Sequence, residues 1–195
     1  MPRKVRELFN GGVYHIFNRG NNRRNLFLDH EDFRFYIDKL CELKDLYAME
    51  VFHYCLMSNH YHLLVRTLRG EYLPRVMHKL QLGYARYYKK KYKYPGHIFQ
   101  ERYRSPQIPV ESYYLQCGRY IERNPVKAKM VKEAWDYVYS SAGYYCFGNA
   151  DSLVTPNLYY EGMGKLPEER RFNYRSFVTL EDPYSDMIDR AIVKV

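Results

Sequence analysis

Two histidines one residue apart, His60-Tyr61-His62, are the first group in this chain able to do chemistry. On an extended strand alternate side chains share a face, so both imidazoles project on one side, where they can share a divalent cation. Two unrelated surface histidines would produce the same pattern. The setting favours a site: a Ser58-Asn59 turn signal precedes the pair, and the apolar run Leu63-Leu64-Val65 anchors the strand behind it. The second group is Tyr120 with Asn124 in GRYIERNPV. Residues i and i+4 share a helix face, which puts a phenol, a potential nucleophile, beside a carboxamide oxygen, a potential metal ligand. Asn124 precedes Pro125, so its aim depends on how the last turn ends. The third is LGYARYYKKKYKYPGH, residues 82–97, where Arg86, Lys89, Lys90, Lys91 and Lys93 alternate with tyrosines. Cations neutralise phosphates and rings stack on bases. The same segment also reads as a solvated helix end with inward-packed rings.

Taken together, the three groups point to phosphodiester chemistry. A tyrosine attacking phosphorus needs an in-line position and neutralised phosphate oxygens. Free tyrosine has a pKa of about 10, so the phenolate is scarce at neutral pH and a divalent cation on the phosphate is a useful partner. Oxygen ligands suit Mg²⁺ or Mn²⁺, and imidazoles tilt the choice towards Mn²⁺.

Composition agrees. The formal net charge is +9 and 23 of the 195 residues are tyrosine. Residues 126–195 carry nine basic and ten acidic side chains, so the whole positive surplus lies in residues 1–125. A basic, ring-rich body suits nucleic acid. No apolar run approaches the roughly 18–20 residues that a membrane span requires. The four cysteines, Cys41, Cys55, Cys117 and Cys146, have no metal-type spacing, which argues against a zinc ribbon. The opening MPRKVRELFNGG has no apolar stretch, and a reducing, cytoplasmic (nucleoid-associated, bacterial) setting is expected.

Elements must hold these groups in place. Periodicity predicts a strand at 12–18, a basic loop RGNNRRN, a helix of about 29–48 capped by Asp29, strands at 49–57 and 60–67, a helix of about 73–92 ended by Pro95-Gly96, and a fourth strand at 97–104. A helix of about 111–124 follows, capped by Ser112 and stopped by Pro125. The β-α-β-β-α-β order predicts an α+β, ferredoxin-like core, one antiparallel sheet with helices on one face, plus a following catalytic helix. Residues 1–125 form this core; 126–195 read as a wrapping appendage, helical near 167–178, and not a separate domain.

Four segments then follow one another in a recognisable order: YHIFNRGNNRRNLF, HYCLMSNHYHLLVRT, GHIFQERYRSP and YYLQCGRYIERNPVKAKMV. This order resembles the single-tyrosine HUH transposases, the IS200/IS605-like enzymes, and most of all their REP-associated branch. The resemblance is strong over about 14–145. It extends into TPNLYYEGMGKLPEERRFNYRSFV, which is similar to the tail of one REP-associated subgroup. It implies metal-binding His60 and His62, nucleophilic Tyr120, and Asn124 where IS200-like enzymes have a glutamine as third ligand. It also implies cleavage and rejoining of hairpin-bearing single-stranded DNA through a 5′-phosphotyrosine. Relatives that exchange the tyrosine helix are dimers, whereas the REP-associated branch can act as a monomer, so both states stay open.

Arg19, Arg23 and Arg24 in the first loop are expected to contact DNA, since arginines fork onto phosphates and guanine edges. His15, on a strand expected beside the third and so within reach of the site, is read first as a packed or hydrogen-bonded residue; His53, His78 and His97 are read as structural. Two other functions fit the same residues: a catalytically silent hairpin DNA- or RNA-binding module, and a metal-dependent nuclease that uses water.

Overall fold

In the computed structural model, residues 7–108 and 113–180 are described. Three strands, β1 (Val13–Arg19), β2 (Met49–Met57) and β3 (His60–Thr67), form an antiparallel sheet in the order β1-β3-β2. The mixed α+β architecture is the one the sequence predicts. Ser58 and Asn59 turn β2 into β3, with Met57 opposite His60.

Helices α1 (His30–Leu46) and α2 (Tyr72–Tyr92) cover one face of the sheet. Asp29 caps α1 through a reciprocal box with Asp32, a device worth about 1 kcal/mol. Phe33, Tyr36, Leu40 and Leu43 of α1 and Leu73, Val76, Met77, Leu80 and Tyr84 of α2 are buried with Tyr14, Ile16, Tyr61, Leu63 and Val65 of the sheet. These positions keep the helical and strand periods that the sequence displays.

The opposite face receives α3 (Tyr113–Glu122), which packs on β2 and β3 over a smaller core of Val13, Phe52, Cys55, Met57, Leu64, Cys117, Tyr120 and Ile121. The start of the expected helix, with Ser112, lies outside the described residues. Gly118 lets α3 sit close: a Cβ there would fall 2.5 Å from the His53 imidazole. An irregularity between Val51 and His53 breaks the β2 register at this point.

Two expectations are corrected. Residues 97–104 form no continuous strand. They run along the outer edge of β1 through isolated bridges, Gly20 with Phe99 and Phe17 with Arg104, continued by Tyr14 with Gln107. A bend at 100–102 interrupts the pairing, and Asn18 holds it by donating to the Glu101 carbonyl at 2.9 Å. Nor does Pro125 stop the helical course. After Arg123 the chain turns again as α4 (Asn124–Lys127).

Beyond α4, the chain passes along the free edge of β2. Leu56 N–H donates to Tyr139 O, Ser141 N–H to Tyr54 O and Thr155 N–H to Val51 O. Such pairing covers an edge that would otherwise present unsatisfied backbone groups. Three helices follow, α5 (Ala142–Phe147), α6 (Leu158–Glu161) and α7 (Pro167–Thr179), the last close to its predicted span.

Candidate active site

β3 alternates strictly: Tyr61, Leu63 and Val65 join the core under α1 and α2, so His60 and His62 face α3. Their rings lie 5.1 Å apart and perpendicular. Tyr120 comes from α3 and sets its ring edge-on to His62, centroids 5.9 Å apart at 89°. Thus the imidazole pair and the phenol, distant in sequence, share one pocket of the sheet face.

Asn124 joins them for a reason that lies in Pro125. Proline has no N–H, so the Ile121 carbonyl one turn back loses its helical donor. The Asn124 side-chain amide supplies it, donating to Tyr120 O at 2.9 Å and Ile121 O at 3.1 Å. With the NH₂ group engaged, the carboxamide oxygen is left for another partner, and a side-chain hydrogen bond links Asn124 to His60.

The imidazoles are held neutral. Burial pushes His60 down to about 4, opposed by the hydrogen bond to the Asn124 side chain and helped by the charge of Arg19. Burial also drives His62 well below its ordinary range, with His60, His15 and Lys127 adding positive potential. His60 Nδ1 is engaged by Asn59 Oδ1 at 2.6 Å, and His62 Nδ1 by His15 Nε2 at 3.0 Å. Neutral imidazoles with one nitrogen already engaged suit metal ligation through the other. By donor chemistry, two neutral imidazoles and a carboxamide oxygen suit a divalent cation, which His60, His62 and Asn124 would hold. Among the described residues, no three His, Cys, Asp or Glu side chains are arranged to hold a metal, so the set depends on the amide.

Two residues outside the predicted set belong to this site. His15 on β1 bonds His62 and meets the Tyr120 ring at 5.9 Å. Lys127 Nζ lies 4.5 Å from the Tyr120 ring centroid. Lys127 stands two helical turns after Tyr120, a relation hidden by the expectation that Pro125 ends the helix.

The predicted DNA-contact residues divide. Arg19 is exposed, pairs in register with His60 and bonds the Gln100 carboxamide at 2.5 Å. Arg23 and Arg24 are exposed in a tight turn where a Cβ on Gly20 would overlap the Arg24 carbonyl; Arg24 also stacks on Tyr94 at 4.1 Å. Arg86, Lys89, Lys90 and Lys93 are exposed on or just after α2, across the sheet from the imidazoles. Lys91 differs, bonding Asp29, Glu31 and Asp32 at 2.8–2.9 Å. The interleaved rings also turn away from solvent. Tyr84 and Tyr88 are buried, and Tyr87 stacks on Phe35 at 4.0 Å and bonds Asp32. Tyr84, Tyr87 and Tyr88 thus pack inward instead of standing free to stack on bases.

The family profile for IS200-like transposases matches residues 9–124, which carry the strands, both imidazoles, Tyr120 and Asn124. This chain belongs to the IS200-like transposase family. Among solved structures it is similar to a REP-associated tyrosine transposase bound to a REP hairpin, with a TM-score of 0.64 and 18% identity over 81% of this chain and 93% of that one. A putative transposase from Deinococcus radiodurans is also similar, at 21% identity over 63% of this chain and 97% of that one, with a TM-score of 0.44. No curated protein matches. Membership of the family accounts for a transposase role. No described helix is long and apolar enough to cross a membrane.

Proposed function

We propose that this transposase cleaves and rejoins hairpin-bearing single-stranded DNA, with Tyr120 as nucleophile and a 5′-phosphotyrosine as intermediate. The observation that carries the reading is the edge-on approach of Tyr120 to His62, in a pocket that also holds His60 and Asn124. His60, His62 and Asn124 would hold Mg²⁺ or Mn²⁺, which would supply charge neutralisation at the scissile phosphate. The Tyr120 oxygen forms the new bond to phosphorus and loses its proton; the bond to the 3′ oxygen breaks, and that oxygen leaves as a free 3′-OH. Rejoining reverses these steps. Lys127, over the ring, adds positive charge where the phosphate would lie. Arg19, Arg23, Arg24, Arg86, Lys89, Lys90 and Lys93 supply phosphate contacts. The REP hairpin held by the structurally similar transposase supports the choice of a hairpin substrate.

Incubation of hairpin-bearing single-stranded DNA with Mn²⁺ and the purified chain tests the reading. A denaturing gel should show a protein–DNA adduct, with peptide mapping placing it on Tyr120. Tyr120→Phe should lose the adduct by at least about 10³-fold while keeping hairpin affinity, because one nucleophilic hydroxyl is removed. Cleavage without an adduct would establish the water-using nuclease instead, and binding without cleavage the silent module.

A further inference from the structure

The Nδ1 atom of His62 meets the Nε2 atom of His15. Both are buried, with exposures of 2% for His15 and 4% for His62, so water does not compete for the contact. The two lie on neighbouring strands, Phe17 opposite His62 and His15 opposite Leu64, on the face that α3 covers. Their rings stack at 5.2 Å and 26°, and the nitrogens meet at 3.0 Å.

The position of the shared proton has a chemical consequence. If His15 Nε2 donates, the His62 proton sits on Nε2 and that nitrogen cannot ligate. If His62 Nδ1 donates to His15 Nε2, the His62 Nε2 lone pair is exposed. His60 has the matching arrangement, since the carboxamide oxygen of Asn59 can only accept its Nδ1 proton. His15 does not serve as a third ligand in this structure, because no three such side chains converge among the described residues. Its contact runs through His62.

We propose that His15 is a positioning residue: it accepts the Nδ1 proton of His62 and thereby holds the His62 Nε2 lone pair and ring plane ready for the cation. The proposal rests on the metal-dependent reading above and assigns a function to a residue that this reading does not use. Partners of this kind change metal affinity by about 10–100-fold when removed. Because His15 also touches the Tyr120 ring, the same imidazole fixes the distance between ligand and nucleophile.

The test is Mn²⁺ binding by the full chain without DNA, followed by electron paramagnetic resonance of the free ion. His15→Phe keeps a ring and deletes both nitrogens; His15→Gln keeps a side-chain acceptor. We expect His15→Phe to weaken Mn²⁺ binding by about 10–100-fold and His15→Gln to retain most of it, with hairpin affinity unchanged in both. Equal Mn²⁺ affinity in wild type and His15→Phe overturns the proposal, as does a folded His15→Gln as weak as His15→Phe. Should His15→Phe fail to fold, nitrogen-15 NMR of the wild-type His62 ring decides: the Nδ1–H tautomer is expected, and the Nε2–H tautomer overturns it. A wild-type chain with no Mn²⁺ affinity removes the metal reading itself and His15's part with it. Binding lost in His60→Ala but kept in His15→Phe leaves that reading intact and rejects His15 alone.

Discussion

Helix α3 carries two buried polar clusters, two residues apart, that behave in opposite ways. Around Glu122, the carboxylate accepts from His53 Nδ1 at 2.9 Å, Ser141 Oγ at 2.6 Å and Tyr174 OH at 2.7 Å. Asn157 meets the other His53 nitrogen at 3.3 Å, and Tyr145 stacks on its ring at 4.5 Å. Every one of these partners comes from β2 or from the chain after α4, so the cluster is satisfied internally. Among the described residues, no carboxylate bonds His15, His60 or His62; their hydrogen-bond partners are one another and the amides of Asn59 and Asn124. His62 is held through Nδ1 by His15, and His60 by the side chains of Asn59 and Asn124, so both rings have neutral partners only. A buried histidine with a carboxylate and a full set of partners fastens elements together. Neutral histidines gathered beside a phenol, with only amides and another imidazole as partners, are able to make a site.

The sharpest break of this comparison is to remove one member from each cluster. Tyr120→Phe should abolish the adduct and lower stability by no more than about 1–1.5 kcal/mol, the worth of a single hydroxyl's hydrogen bond. Glu122→Ala should instead lower stability by about 3–5 kcal/mol, because it strands the buried partners of the carboxylate. Urea unfolding of both variants checks this; a Glu122→Ala chain as stable as wild type would mean that the cluster fastens nothing. Gly118→Ala tests the seating of α3 between the clusters. The added methyl meets the His53 ring and should cost about 1–3 kcal/mol. It should also slow adduct formation by shifting Tyr120, with hairpin affinity retained.

The smallest expected effect is at the basic face of α2. Neutralising Lys89, Lys90 and Lys93 should weaken hairpin binding and flatten its dependence on salt, by up to about one unit of log–log slope per lost phosphate contact. Lys91→Met is the control within the same helix. Burial alone would lower Lys91, but its bonds to Asp29, Tyr87, Glu31 and Asp32 raise it above the ordinary lysine range. Its loss should therefore affect the junction of α1 and α2 and leave the salt slope unchanged. A slope change from Lys91→Met equal to that of the other lysines would return it to the DNA-facing set.

Whatever depended on near neighbours was determined by the sequence alone. The alternation of β3 put both imidazoles on one face, the Ser58-Asn59 turn made the hairpin, Asp29 capped α1, and the order of motifs announced the family. These features follow from periods of two and about 3.6 residues and from local hydrogen bonds. Other features needed the tertiary structure. His15 and His62 are 47 residues apart, and only strand pairing brings them together. The aim of Asn124 came from an unsatisfied carbonyl, and Lys127 entered the site because the chain turned again after Arg123. Lys91 and its neighbouring tyrosines look like a nucleic-acid surface in sequence, yet α1 supplies carboxylates and apolar surface that draw them in. The expected fourth strand became an edge segment because a bend at 100–102 interrupts its pairing with β1. In each case the deciding partner lies on another element, and composition and spacing along one segment carry no record of which groups that element presents.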